Sequence, residues 1–432
     1  MKADKVFLLM MALLLSSSLF AQDQKSKKES KNRSGWNFGP LPAISYNSDV
    51  GFQYGALCDI YYYGDGSTYP EYIHKFNVEV SQYTKGSGVY HLFYDSKHLL
   101  GNIRTTMDIS YLTDKMKDFY GYNGYMSYHN EDYGASFYKM DRKLMRFIVD
   151  FQGKLTKNIG WAAGVAVYGY KTGEVKLDKY AGKDNLYNLY RDYGLIEEDE
   201  AEGGTQVEIK AGIVHDTRDH EADPTRGFRS EAVVFGSLDY LRFALIHRGY
   251  LPVYKERVTF AYRLGWQGKI AGEIPFYMLQ NISTLYMKQL TNEGLGGLNS
   301  IRGVLRNSVV GDGVVWSNFE IRYRFLDFRF LGQEWYLATN PFLDAGRVVQ
   351  YHKKSLMESL TSWSSHLDFL PGDQLINSYY INSGSEENFH FSAGIGVKAV
   401  MNRNFIISAE WGKPFDIRDG KNGINIGLNY IF

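Results

Sequence analysis

Strict alternation of apolar and polar side chains, in short runs and without a long apolar run behind the N-terminal segment, leaves this chain few folds. From Arg257 to Gln267, Val258, Phe260, Tyr262, Leu264 and Trp266 fall on one face; Thr259, Arg263 and Gln267 fall on the other. At the C-terminal end Ile424, Ile426, Leu428, Tyr430 and Phe432 oppose Asn425, Gly427 and Asn429. Period two belongs to strands, and a strand of about 9–11 residues crosses a bilayer when one face meets lipid and the other a polar lumen. A transmembrane helix needs about eighteen apolar residues in a row, and none follows the start of the chain.

Such runs are expected near 38–47, 50–63, 71–83, 87–97, 102–112, 143–155, 158–170 and 205–216. A second set lies near 226–238, 241–253, 256–268, 314–326, 335–347, 389–400, 403–411 and 422–431, sixteen in all. The long connections, 113–142, 171–204, 269–313 and 348–388, all follow odd-numbered runs. Outer-membrane barrels put long loops outside and short turns in the periplasm, so the two tests agree on an all-β, 16-stranded transmembrane barrel. The strand-like run Pro275 to Met287 belongs inside the 269–313 loop, since a seventeenth strand would break that rule. Residues 171–204 and 348–388 are expected at the cell surface.

The 35 tyrosines, 26 phenylalanines and 44 glycines against 9 prolines suit aromatic-girdled strands. Lys2 and Lys5, the apolar run Val6 to Leu15 and the small Ala21 read as a signal peptide over residues 1–21. Residues 22–35 form a polar, basic lead-in with little to bury, and 36–432 the barrel. Acidic and basic residues number 48 each, which gives no field for nucleic acid. The single cysteine, Cys58, excludes a disulfide framework. No G-x-S-x-G elbow, paired-histidine motif or phosphate loop is present, so neither enzyme activity nor a cofactor is expected.

Four motifs stand in a fixed order: HDTRDHEADPTRGF (215–228), GLGGLNSIRGV (294–304), SNFEIRYRF (317–325) and PFLDAGR (341–347). The first holds enough carboxylates to be weighed as a calcium loop, but its spacing fits none. Asp216, Arg218 and Asp219 are instead expected to bond a tight periplasmic turn that Pro224 and Gly227 close. No metal site is expected. Glu320 falls on the polar face of its strand with Asn318, Arg322 and Arg324, and Asp344 on the inward face of the next with Asn340 and Phe342.

In this order the motifs resemble the outer-membrane assembly superfamily that includes BamA, TamA and the two-partner secretion transporters. The resemblance covers roughly Gln206 to Phe432 and implies that the loop carrying Gly296, Gly297, Ile301, Arg302 and Gly303 folds into the lumen. It further implies that Arg302 meets Glu320 and Asp344, although Val304 stands where the family usually has an aromatic residue. An aromatic C-terminus such as Phe432 is typical of bacterial outer-membrane barrels. Family members carry periplasmic POTRA domains, each needing at least about 50 residues, and the lead-in leaves no room for one.

The implied function is insertion or translocation of polypeptides or lipids at the outer membrane of a Gram-negative bacterium. The implied partners are outer-membrane lipids, nascent outer-membrane proteins, other barrels or a second copy. The alternatives are a structural or partner-binding plugged barrel and a diffusion channel.

Overall fold

The computed structural model describes residues 34–432 other than 48–50, 70, 128, 130–132, 135, 177–184, 256, 283–293, 298, 331–332, 365–385, 404 and 429. The expected signal peptide and nearly all of the lead-in lie outside the described residues.

The first strand, β1, runs Trp36–Pro42 and continues in the same register as Ser45–Asn47. There follow β2 Gly51–Tyr62, β3 His74–Tyr83, β4 Gly88–Leu100, β5 Ile103–Asp118, β6 Lys139–Lys154, β7 Ile159–Gly173 and β8 Thr205–Asp216. The second half comprises β9 Gly227–Gly236, β10 Tyr240–Tyr254, β11 Val258–Gly272, β12 Gly313–Phe330, β13 Gln333–Gln350, β14 His390–Met401, β15 Phe405–Pro414 and β16 Gly423–Leu428. Each strand pairs antiparallel with the next, and β16 pairs back onto β1 to close the barrel. Ile209, Val234, Leu264, Ile321 and Ile395 project outward and exposed, while Glu208, Arg242, Arg263, Glu320 and Lys398 are buried inside. That is the alternation seen in the sequence, and it makes the outer wall apolar and the lumen polar.

β5 and β6 run further than the alternation indicates. A register shift between Asp114 and Lys117 breaks the period two there, so the charged extension does not read as strand.

The expected surface loops are partly folded. Helices α1 (Leu186–Asp192), α2 (Glu198–Ala201) and α3 (Lys354–Ser364) lie in them. Asn185 caps α1, its side chain accepting from Tyr187 N at 2.8 Å. Leu186, Tyr190, Leu195, Phe119, Phe276 and Met357 then share one buried cluster that roofs the barrel. Protease added to whole cells is expected to cut within 171–204 and 348–388 but to spare 186–196. Cleavage seen only after the outer membrane is breached would invert the topology.

The closing seam is unlike the other strand pairs. Among the described residues β1 and β16 share two residue pairs, Asn47 with Asn425 and Tyr46 with Ile426, whereas both segments of β1 pair with β2 throughout. Tyr63 N donates to Gly35 O and Ala43 N to Gly55 O, so the odd residues of β1 bond β2. Even residues therefore turn their N–H and C=O groups toward β16. Two of these are Pro40 and Pro42, which have no N–H to give.

Extending the seam register would set Tyr430 against Pro42 and Phe432 against Pro40. The alternation places both aromatics on the outward face, yet beyond Leu428 the chain turns into the lumen. There the Tyr430 ring lies 3.9 Å from the Arg322 guanidinium, Ile431 O accepts from Arg263 Nη1 at 3.4 Å and Phe432 O from Arg322 Nη2 at 2.8 Å. Phe432 O thus takes from Arg322 the hydrogen bond that Pro40 cannot give.

Candidate functional site

The loop between β11 and β12 enters the lumen and folds on itself. Leu295 bridges Val309, Gly297 N donates to Val304 O at 2.9 Å and Asn307 Oδ1 accepts from Gly294 N at 2.8 Å. Leu295, Ile301, Val304 and Val309 bury their side chains against Ile246, Trp316 and Val348 of the inner wall. Val304, at the position where an aromatic was expected, is thus a wall contact. Gly303 has φ +90°, and a Cβ there would stand 2.5 Å from the backbone carbon of Gly412. Only glycine lets the loop pass this close to β15. The same passage brings it to the seam strand, since a Cβ on Gly423 would stand 3.3 Å from Gly303 Cα.

Arg302 is the polar anchor. Its Nε and Nη2 fork onto the two Asp344 oxygens at 2.7 and 2.8 Å, and its backbone N donates to Asp344 Oδ2 at 3.0 Å. Nη1 donates to Glu320 Oε2 at 3.1 Å and to Glu410 Oε1 at 3.0 Å. The guanidinium carbon sits 3.5 Å from the centre of the Phe342 ring. The structure thus brings Arg302 to Glu320 and Asp344 together, and adds Glu410.

Around them Arg322 bonds Glu320, Lys398 Nζ donates to Glu410 at 2.8 Å, and Asn340 Nδ2 donates to both glutamates at 2.9 and 3.1 Å. Three cations, Arg302, Arg322 and Lys398, face three carboxylates, Glu320, Asp344 and Glu410, all buried. The balance matters because an uncompensated charge here would have no bulk water to turn to. Glu410 was not named from the sequence; the signal that could have found it is the alternation of the inward Ser408 and Glu410 with the outward Trp411 on β15.

The turn after β8 does more than reverse the chain. Arg218 forks onto Asp216 at 3.0 and 2.8 Å, and Asp219 Oδ1 accepts from Thr225 N and Arg226 N at 2.9 and 3.1 Å. Gly227, at φ +92°, takes the chain into β9, and Pro224 lies at the far side of the turn. Residues 217–226 are not the tight turn the sequence suggested, however. Asp223 accepts from the Tyr336 hydroxyl at 2.8 Å and holds Arg403 through its carbonyl at 2.8 Å, while Glu221 lies 3.6 Å from Arg104 of β5. The turn therefore crosses beneath the barrel mouth. Nothing in its own composition signals those distant partners. Loop 294–312 and the roof of aromatics fill the lumen above it.

The comparisons with known proteins agree with this architecture. A family model described as "Omp85 superfamily domain" matches residues 74–432. Among solved structures, BamA from Haemophilus ducreyi lacking POTRA domains 1–3 is similar at 15% identity and a TM-score of 0.55, over 97% of this chain and 78% of that one. CdiB from Escherichia coli is similar at 9% identity and a TM-score of 0.54, over 94% of this chain and 64% of that one. At these identities the likeness is one of fold. Comparison with curated proteins gave no match.

Proposed function

The chain belongs to the Omp85 superfamily, and on that premise we propose that it assists insertion or translocation of polypeptides, or of lipids, at the outer membrane of a Gram-negative bacterium. The observation that carries the reading is the seam. Among the described residues two residue pairs join β1 to β16, and below them no described strand lies beside the edge of β1 from Trp36 to Pro42. An unpaired edge is a template onto which another strand can add. Its even residues present four carbonyls, at 36, 38, 40 and 42, but N–H groups only from Trp36 and Phe38. A client strand would be held at both groups of those two residues and by one bond each at the prolines. It would dock, and it would leave.

The lumen loop is part of the same device, because Gly303 rests against Gly412 of β15 and Gly423 of the seam strand β16. Loop position and seam pairing are thereby in contact.

A second reading, a plugged barrel that binds a partner, is favoured by the closure of the described lumen at the roof, at the loop and at the turn. The two readings separate on depletion. If the chain acts in assembly, its loss is expected to lower the amount of folded outer-membrane protein or to disturb lipid asymmetry, both measured in isolated membranes. Unchanged protein and lipid content after depletion would leave the plugged barrel as the function.

A further inference from the structure

One row of side chains on the outer wall does not suit a face that meets only hydrocarbon. Ser230 of β9 points outward, and the register sets it opposite His215 of β8 and His247 of β10. Ser230 Oγ lies 2.8 Å from His247 Nδ1, and His247 Nε2 lies 3.1 Å from the Tyr262 hydroxyl of β11. This reach is built in: a Cβ at Gly249 would stand 2.3 Å from the Tyr262 ring, so glycine there lets the phenol lie across to His247. The Phe228 ring supports both imidazoles, 4.8 Å from His215 and 5.6 Å from His247.

Counting protons shows what the row lacks. A neutral His247 carries one N–H. Whichever nitrogen holds it, one neighbouring hydroxyl donates to the bare nitrogen, and the other accepts and keeps its own proton unspent. His215 makes no side-chain hydrogen bond among the described residues, so its N–H is unspent too. Donors left unspent on the outer wall take acceptors from whatever the membrane sets against them.

Beside the row, toward mid-wall, a groove of about 520 Å³ runs between Ile213, Ala232, Leu245, Leu264 and Trp266, with His215, Ser230 and His247 at its polar end. That end lies near turn 217–226, level with the stacked aromatics Phe260, Tyr262 and Phe319. Rings at this level sit where headgroups begin.

We propose that this groove is a binding site for one glycerophospholipid of the leaflet on the short-turn side. An acyl chain lies along Ile213, Leu245, Leu264 and Trp266; ester or phosphate oxygens accept from His215 and from the Ser230–His247–Tyr262 chain. A lipid is the occupant because the groove opens only on the membrane wall, and because one molecule brings an apolar tail and acceptor oxygens at the required spacing. The row binds and does not cleave: β9 is paired on both sides, so no backbone N–H beside Ser230 is free to hold an oxyanion.

The test is native mass spectrometry of the full chain in detergent, titrated with phosphatidylethanolamine and phosphatidylglycerol. The variants are His215→Phe, Ser230→Ala and His247→Phe at the polar end, and Ala232→Trp to fill the groove. Heat-modifiable migration verifies that each still forms the barrel. The wild type is expected to retain one lipid, the polar-end variants to hold it about tenfold more weakly, and Ala232→Trp to lose it. Equal retention by all forms, or none by the wild type, would overturn the site. So would a dimer that Ala232→Trp disrupts, since the groove would then seat a second copy.

Discussion

Replacing Arg302 by alanine is expected to loosen loop 294–312 about 100-fold, read as protease access, while the barrel stays closed. The substitution takes from Asp344 its three bonds to Arg302 and leaves Asp344, Glu320 and Glu410 buried with one cation fewer. Breaking a buried pair costs about 3–5 kcal/mol, and a lumen that keeps some water brings this toward the low end. About 3 kcal/mol corresponds to a factor near one hundred. The loop does not leave altogether, because Leu295, Ile301 and Val309 remain fully buried against the wall. The strands keep their own ladder, which the loop does not supply.

Coupling should be strongest with Asp344, which accepts from Nε, Nη2 and the backbone N of Arg302, and weaker with Glu320 and Glu410, which share Nη1. Arg302→Lys should rescue only in part, since an ammonium cannot fork across both Asp344 oxygens. In double-mutant cycles with Asp344→Ala, Glu320→Ala and Glu410→Ala, simple additivity would show that these contacts do not hold the loop.

A larger functional effect is expected from Pro40→Val with Pro42→Val. The two valines restore the N–H groups that face β16, so Tyr430 and Phe432 gain the donors they need to join the sheet. Two added backbone bonds stabilise the closed seam by about 1 kcal/mol each, and the tail then leaves Arg263 and Arg322. Cysteines at Leu41 and Ile431, in a chain whose Cys58 is made serine, report the change. In the extended register residues 41 and 431 face each other at a non-hydrogen-bonded position, where side chains are close enough for a disulfide. The bond should form in the double-valine chain and not with the prolines in place, and the closed form should lose activity. A disulfide of equal yield in both would mean that the prolines do not set the seam.

Most of the barrel was legible because each membrane strand writes its own two-residue period, and lipid on one face enforces it. The exceptions have specific causes. The bulge at Asp114–Lys117 hid the ends of β5 and β6. Tyr430 and Phe432 keep the alternation of β16 but not its path, and the edge they would join carries Pro40 and Pro42, nearly four hundred residues earlier in the chain. The Arg302 site was legible only in part for a similar reason. Glu320 and Asp344 sit in recognisable motifs, whereas Glu410 lies further along the chain, and Arg302, Arg322 and Lys398 meet the three carboxylates only once the four strands β12 to β15 are side by side. The mouth-crossing turn shows the limit. Its internal bonds follow from its sequence, but Tyr336, Arg403 and Arg104 are partners that only the closed ring brings near.

Client strands are proposed to add to the open edge of β1. A photo-crosslinking residue at Phe38, on the open stretch, and another at Ile209, on the lipid-facing wall far from the seam, measure this during pulse-labelled synthesis in cells. Capture of newly made barrel precursors at position 38, transient in a chase and absent at position 209, is the predicted result. Equal capture at both positions, or none at 38 while the chain is folded in the membrane, would contradict it.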